Sequence, residues 1–149
     1  MNVKEITELL EDKSVKNIAL IEKAYSFAEK VHTGQKRYSG EPYFTHIFAV
    51  AKNLAEMKID TTTVAAGLLH DTIEDARVSE KEIEKEFGKE ISCLVKGVSK
   101  LGKLKYHGME RHVESLRKFF VAMSADMRVL IIKIADRLID IRVSIIPTQ

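Results

Sequence analysis

The feature that most constrains this chain is an unbroken apolar run, Val64-Ala65-Ala66-Gly67-Leu68-Leu69, that passes directly into His70-Asp71-Thr72-Ile73-Glu74-Asp75. Read as a helix, the run is apolar on every side and belongs in the middle of a fold, and its end delivers one imidazole and three carboxylates to the solvent boundary. His70 and Glu74 would then stand one turn apart on one face, with Asp71 and Asp75 beside them. Carboxylates crowded at an apolar boundary repel and raise one another's pKa. Their clustering is better explained by a divalent cation than by stability.

Helical spacing dominates the rest of the chain. Ile18, Ile21, Tyr25, Ala28 and Val31 recur at threes and fours without Pro or Gly, which predicts an amphipathic helix from about Val15 to His32. The stretch Thr33 to Pro42 holds two glycines, a proline and adjacent cations, a composition that breaks helices and exposes backbone N–H groups. A second helix is expected from about Tyr43 to Met57, with His46 near its start. Asp60 and Thr61 offer N-cap oxygens for the third, which carries the apolar run. Ser79-Glu80-Lys81-Glu82 reads as a capping box opening a charged helix that Gly88 ends. Helical patterns follow at Ile91 to Val98 and Glu110 to Met123, separated by Gly97, Gly102 and Gly108. A largely buried helix from Asp126 to about Val143 comes last, with Val129, Leu130, Ile132, Ile134, Ala135 and Leu138 interrupted by Asp136 and Arg137. No alternating pattern suggests a sheet. The expected fold is all-α, a bundle of roughly six or seven helices.

Bulk properties exclude several classes. A chain of 149 residues, 45% hydrophobic and 31% charged, suits one domain with a single core. The 24 Lys and Arg against 22 Asp and Glu leave a charge of +2, too balanced for a nucleic-acid or membrane-surface protein. No apolar run approaches the roughly 20 residues that span a bilayer, and no signal peptide is visible. The lone Cys93 excludes an internal disulfide, and its neighbours Ile91, Leu94 and Val95 favour an inert core thiol. A cytoplasmic protein is expected, with its oligomeric state left open.

Two histidines and two aspartates interrupt otherwise apolar helices: His46, His70, Asp71 and Asp136. Singly, each reads as a hydrogen-bonded or ion-paired group. Together, two imidazoles and two carboxylates from three separate helices make a mixed N/O set suited to Mn²⁺, Fe²⁺ or Zn²⁺, with positions left for water and substrate.

A histidine, a distant His-Asp pair and a later Asp on a buried helix resemble the ligand pattern of the HD-domain metal-dependent phosphohydrolases. More narrowly, five ordered segments are similar to the hydrolase domain of the RelA/SpoT family: Arg37 to Tyr43 before His46, His70 to Asp75, Phe87-Gly88, Gly97 to Leu101, and Lys133 to Leu138. The likeness runs from about Ala24 to Arg142. It implies an HD-domain bundle around one metal that removes the 3′-pyrophosphate from ppGpp and pppGpp, usually with Mn²⁺. By that resemblance His46, His70, Asp71 and Asp136 would hold the metal, Glu74 and Asp75 would be the catalytic carboxylates, and Arg37 would stack on guanine. Lys36, Ser39, Lys100 and, more weakly, Lys103 are candidate phosphate or ribose contacts. His107 and His112 receive no chemistry.

The chain departs from the family pattern in places. Ile139-Asp140 stands where the family usually has His-Asn, placing another carboxylate beside an expected polyphosphate. Unless Asp140 is protonated, recruited by the metal or turned away, it should weaken or redirect substrate binding. Ser115 replaces a common Asn before Arg117-Lys118. The family domain continues beyond the position of Arg142, so part of the substrate wall is expected to be missing, and the chain reads as a small stand-alone hydrolase or a fragment. Two alternatives follow: a hydrolase for another nucleotide, such as the 2′-phosphate of NADPH, or a catalytically silent nucleotide-binding module.

Overall fold

The computed structural model describes residues 1–102, 121 and 126–145, and among them the chain forms seven helices and no strand. They are α1 (Lys4–Thr7), α2 (Val15–Val31), α3 (Tyr43–Glu56), α4 (Thr61–Leu69), α5 (Glu80–Phe87), α6 (Lys89–Gly102) and α7 (Met127–Ile145). The all-α expectation holds. Most of the helix predicted from Glu110 to Met123 lies outside the described residues, as do Lys103, His107, His112, Ser115, Arg117 and Lys118.

Helix α4 is the axis of the bundle. It packs against α2, α3, α6 and α7, and every residue from Thr63 to Leu69 is buried. Its start is set by Asp60, whose carboxylate accepts from Thr63 N at 3.0 Å. Around it, Ile47, Val50, Leu54, Leu68, Leu69, Leu94 and Ile132 are almost wholly removed from water, each contributing about 1.5–3 kcal/mol of transfer free energy. Tyr25 meets Phe44 edge to face, ring centroids 4.9 Å apart, locking α2 to α3.

Helix α5 begins and ends as its sequence predicts. Ser79 accepts from Glu82 N, and Gly88 closes the helix at φ 87°, a left-handed conformation that costs glycine little. Ile83 is its buried residue, so most of α5 is a solvated face.

One helix is added to the expected set and three expectations are corrected. The N-terminal helix α1 is too short for periodicity to reveal, yet Ile6 and Leu10, in and just beyond it, reach the core. Gly97 lies inside α6 instead of breaking it. A Cβ at Gly97 would fall 2.7 Å from Val129 Cγ2, so the missing side chain is what lets α6 and α7 close on each other. Cys93 is exposed: Ile91, Leu94, Val95 and Val98 form the inward stripe, and position 93 falls on the opposite face. Finally, α7 is less buried than its composition suggests. Val129, Ile132, Ala135 and Asp136 face inward, while Ile134 and Leu138 are 49% and 42% exposed.

Candidate metal centre

Three segments converge on one buried point. Helix α3 starts directly after Pro42, and its first turns carry His46 inward beside Ile47 and Val50. Helix α4 stops at Leu69, so the acidic cluster is not its continuation. Thr72 Oγ1 donates to the Leu69 carbonyl at 2.6 Å, Asp75 N to the Asp71 carbonyl at 2.9 Å and Val78 N to the Thr72 carbonyl at 3.0 Å. These turns hold the cluster. Helix α7 brings Asp136 inward beside Ile132 and Ala135.

His46, His70 and Asp136 each offer a donor atom within 4.8 Å of the other two, and all three are buried. His46 Nε2 lies 3.0 Å from Asp136 Oδ1, and His70 Nε2 lies 3.8 Å from the same oxygen. Asp71 approaches from the His70 side, with Oδ2 3.1 Å from His70 Nε2. Lys133 Nζ takes the other Asp136 oxygen at 2.8 Å.

The charges shape one another strongly. Burial alone would lower the pKa of His70, but Asp71 and Asp136 overcome it and push it up to about 10. Burial likewise works against the charge on Asp71, yet His70 and the Tyr43 hydroxyl hold its carboxyl well below the usual carboxylate range. Asp136 is also held far down against its burial, by His46, His70 and Lys133. Glu74 moves the other way. Burial raises its pKa and the charges of Asp71 and Asp75 add to this, while Ser99 and Lys133 oppose them.

This donor set fits a divalent transition metal. His70 Nδ1 donates to the Gly67 carbonyl at 2.7 Å, which leaves Nε2 facing the carboxylates. That Nε2 makes no well-directed hydrogen bond even though Asp71 Oδ2 lies 3.1 Å away, a geometry in which ring and carboxylate face a shared point more than each other. Donors bonded to one ion at about 2.1 Å stand ~3–4.2 Å apart, close to the separations here.

The remaining predicted residues form a rim. Glu74 is half-buried and accepts from Ser99 Oγ at 3.2 Å. Asp75 is exposed and lies 2.7 Å from the Tyr43 hydroxyl, which is also 2.7 Å from Asp71 Oδ2. Lys36, Ser39 and Lys100 are exposed. The loop around Arg37 is closed on itself, because Arg37 N donates to the Glu41 carbonyl and Tyr43 N to the Gln35 carbonyl, both at 2.9 Å. These N–H groups are therefore internal to the loop, contrary to the expectation that it exposes them.

Arg37 is not held ready for stacking. Its guanidinium pairs with Asp140 and approaches His46 Nδ1 at 3.2 Å. Asp140 is thus not turned from the site; Arg37 pairs with it there, with Arg137 a further 3.7 Å contact.

Sequence reasoning assigned no role to Tyr43, Ser99 or Lys133, each of which touches a predicted site carboxylate. All three lie inside the segments that carried the resemblance, which was the available signal. His32 was missed as well: it stacks on Tyr43 at 5.2 Å and is joined through Gln35 to the Asp75 carbonyl. No helix among the described residues is long and apolar enough to cross a membrane.

A family model described as HD domain matches residues 24–145. A GTP pyrophosphokinase of Streptomyces coelicolor is 50% identical over 122 residues, covering 82% of this chain. A GTP pyrophosphokinase rsh of Brucella melitensis is 48% identical over 127 residues, 85% of this chain, and a GTP pyrophosphokinase of Myxococcus xanthus is 45% identical over 125 residues, 81% of it. The chain spans 14%, 17% and 16% of the lengths of these curated relatives.

Proposed function

This chain belongs to the HD-domain family, in its RelA/SpoT branch, and we propose that it removes the 3′-pyrophosphate of ppGpp or pppGpp with Mn²⁺ or a similar divalent ion, yielding GDP or GTP and pyrophosphate. The relatives are named for pyrophosphokinase activity, and the matched stretch is a small part of each. Hydrolysis is preferred because of one observation: His46, His70 and Asp136 are buried together with donor atoms within 4.8 Å of one another, a metal-ligating cluster.

In this reading His46, His70, Asp71 and Asp136 hold the ion. When bound, it supplies a positive charge that makes a water acidic near neutral pH and offsets charge building on phosphoryl oxygens. Glu74 is the group to receive the proton of the attacking water. Its burial keeps it more basic than an ordinary carboxylate, and Ser99 fixes its direction. Asp75, steadied by Tyr43, stands at the solvent edge, where it can assist the departing 3′ oxygen. Arg37 is the candidate base-binding group, and Lys36, Ser39 and Lys100 lie on exposed surface available to phosphates.

The test is pyrophosphate release from ppGpp with Mn²⁺, with chelator, and with a panel of other nucleotides including NADPH. Manganese-dependent release from ppGpp is expected. Release from another nucleotide alone would reassign the substrate, and nucleotide binding without release under any metal would sink the hydrolase reading.

A further inference from the structure

Arg37 Nη1 sits 3.2 Å from His46 Nδ1 while its other nitrogen, Nη2, pairs with Asp140. A guanidinium has donors and no acceptor, so this contact requires Nδ1 to accept. The ring hydrogen is then on Nε2, where it donates to Asp136 Oδ1 at 3.0 Å. Metal ligation by His46 through Nε2 needs the opposite arrangement, a lone pair on Nε2 and the hydrogen on Nδ1. Arg37 cannot stay against an Nδ1–H. The acceptor in place for that hydrogen is Asp140 Oδ1, 3.7 Å from Nδ1.

We propose that Asp140 is a positioning residue for the metal ligand His46: it draws Arg37 off the outer edge of the imidazole and accepts the Nδ1 hydrogen when Nε2 engages the ion. The inference rests on the metal-site reading above. It gives Asp140 a task other than repelling substrate, since a carboxylate behind a ligating histidine fixes the ring and strengthens it as a donor. It also couples two functions physically. Arg37 and the metal compete for opposite edges of one ring, so metal binding moves Arg37 off His46.

The experiment measures Mn²⁺ affinity by calorimetry in the wild-type chain, Asp140→Ala, Asp140→Asn and Arg37→Ala, together with ¹⁵N spectra of His46 in the metal-free and Zn²⁺-loaded wild type. Asp140→Ala should bind Mn²⁺ about tenfold or more weakly. Asp140→Asn, which keeps an acceptor oxygen, should recover part of that loss, and Arg37→Ala should bind at least as tightly as wild type because the competing donor is gone. The spectra should show hydrogen on Nε2 without metal and on Nδ1 with Zn²⁺. Unchanged affinity in Asp140→Ala, an equal loss in Asp140→Asn, a matching loss in Arg37→Ala, or hydrogen on Nδ1 before metal is added would overturn the proposal alone. A wild-type chain that binds no Mn²⁺ would instead overturn the metal-site reading and this proposal with it.

Discussion

His70 Nδ1 lies 2.7 Å from the carbonyl oxygen of Gly67, and that contact decides which edge of the ring faces the cluster. Only Nε2 is left for a proton or a cation. Against the pull of burial, Asp71 and Asp136 raise the His70 pKa to about 10, so an incoming ion displaces a proton throughout the neutral range. Mn²⁺ affinity should therefore rise about tenfold per pH unit between roughly pH 6.5 and 8.5, with about one proton released per ion. Calorimetry in buffers of different ionisation enthalpy reads both quantities. An affinity independent of pH would show that His70 gives up no proton to the metal.

The same group sets the alkaline stability of the metal-free chain. Its folded pKa of about 10 lies above the ordinary 6.5, so the stabilisation is complete below about pH 6.5 and is lost as pH rises through 10. The amount is on the order of a few kcal/mol. Melting temperature in chelator should fall between pH 7 and 9.5, and saturating Mn²⁺ should flatten the fall because the ion replaces the proton. A chelated protein whose melting temperature is level across this window would contradict the assignment.

Tyr43 offers one hydroxyl hydrogen to two carboxylates, Asp71 and Asp75, each at 2.7 Å. Tyr43→Phe keeps the ring that stacks on His32 and removes only that link. Mn²⁺ affinity and kcat should each drop about 10–100-fold, while the far-ultraviolet circular dichroism stays that of the wild type. Loss of helical signal would mean that the phenol supports the fold more than the site.

Glu74 and Ser99 make a prediction with a sign. Burial, with help from Asp71 and Asp75, raises the Glu74 pKa, and the Ser99 hydrogen bond works the other way. The acid limb of the pH–rate profile should lie above the 4.5 of an ordinary glutamate, and Ser99→Ala should move it further up. Glu74→Gln should retain Mn²⁺ and lose about 10²- to 10⁴-fold in turnover. An acid limb unmoved by Ser99→Ala would indicate that another group receives the proton.

How far such a site can be read from sequence depends on what each residue has to do locally. Asp60, Ser79 and Gly88 were legible because caps and helix ends are governed by near neighbours. His46, His70 and Asp136 stood out because a polar group inside an apolar stripe demands a partner, and the structure brings the three together. Cys93 was misread because adjacent apolar residues say little about a helix face, which is decided by positions three and four away. The Arg37–Asp140 pair joins residues 103 positions apart, and no local rule could have found it. Tyr43 gave no signal of its own, since a tyrosine opening a helix reads as packing until the two carboxylates near it are seen.

Gly97 tests whether the packing of α6 on α7 matters to the centre. In an exposed helix interior, Gly→Ala gains up to about 1 kcal/mol, but here the added Cβ would lie 2.7 Å from Val129 Cγ2 and 3.2 Å from its Cγ1. Val129 is buried on α7, the helix that carries Asp136, and it has little room to yield. Gly97→Ala should therefore destabilise by about 1–3 kcal/mol, with Mn²⁺ affinity falling as α7 shifts. Adding Val129→Ala should restore much of the affinity by removing the clash, although it leaves a smaller core. Thermal melts and Mn²⁺ titrations of the single and double variants decide the matter. If Gly97→Ala alone stabilised the chain, α6 and α7 would not be held as closely as the glycine requires.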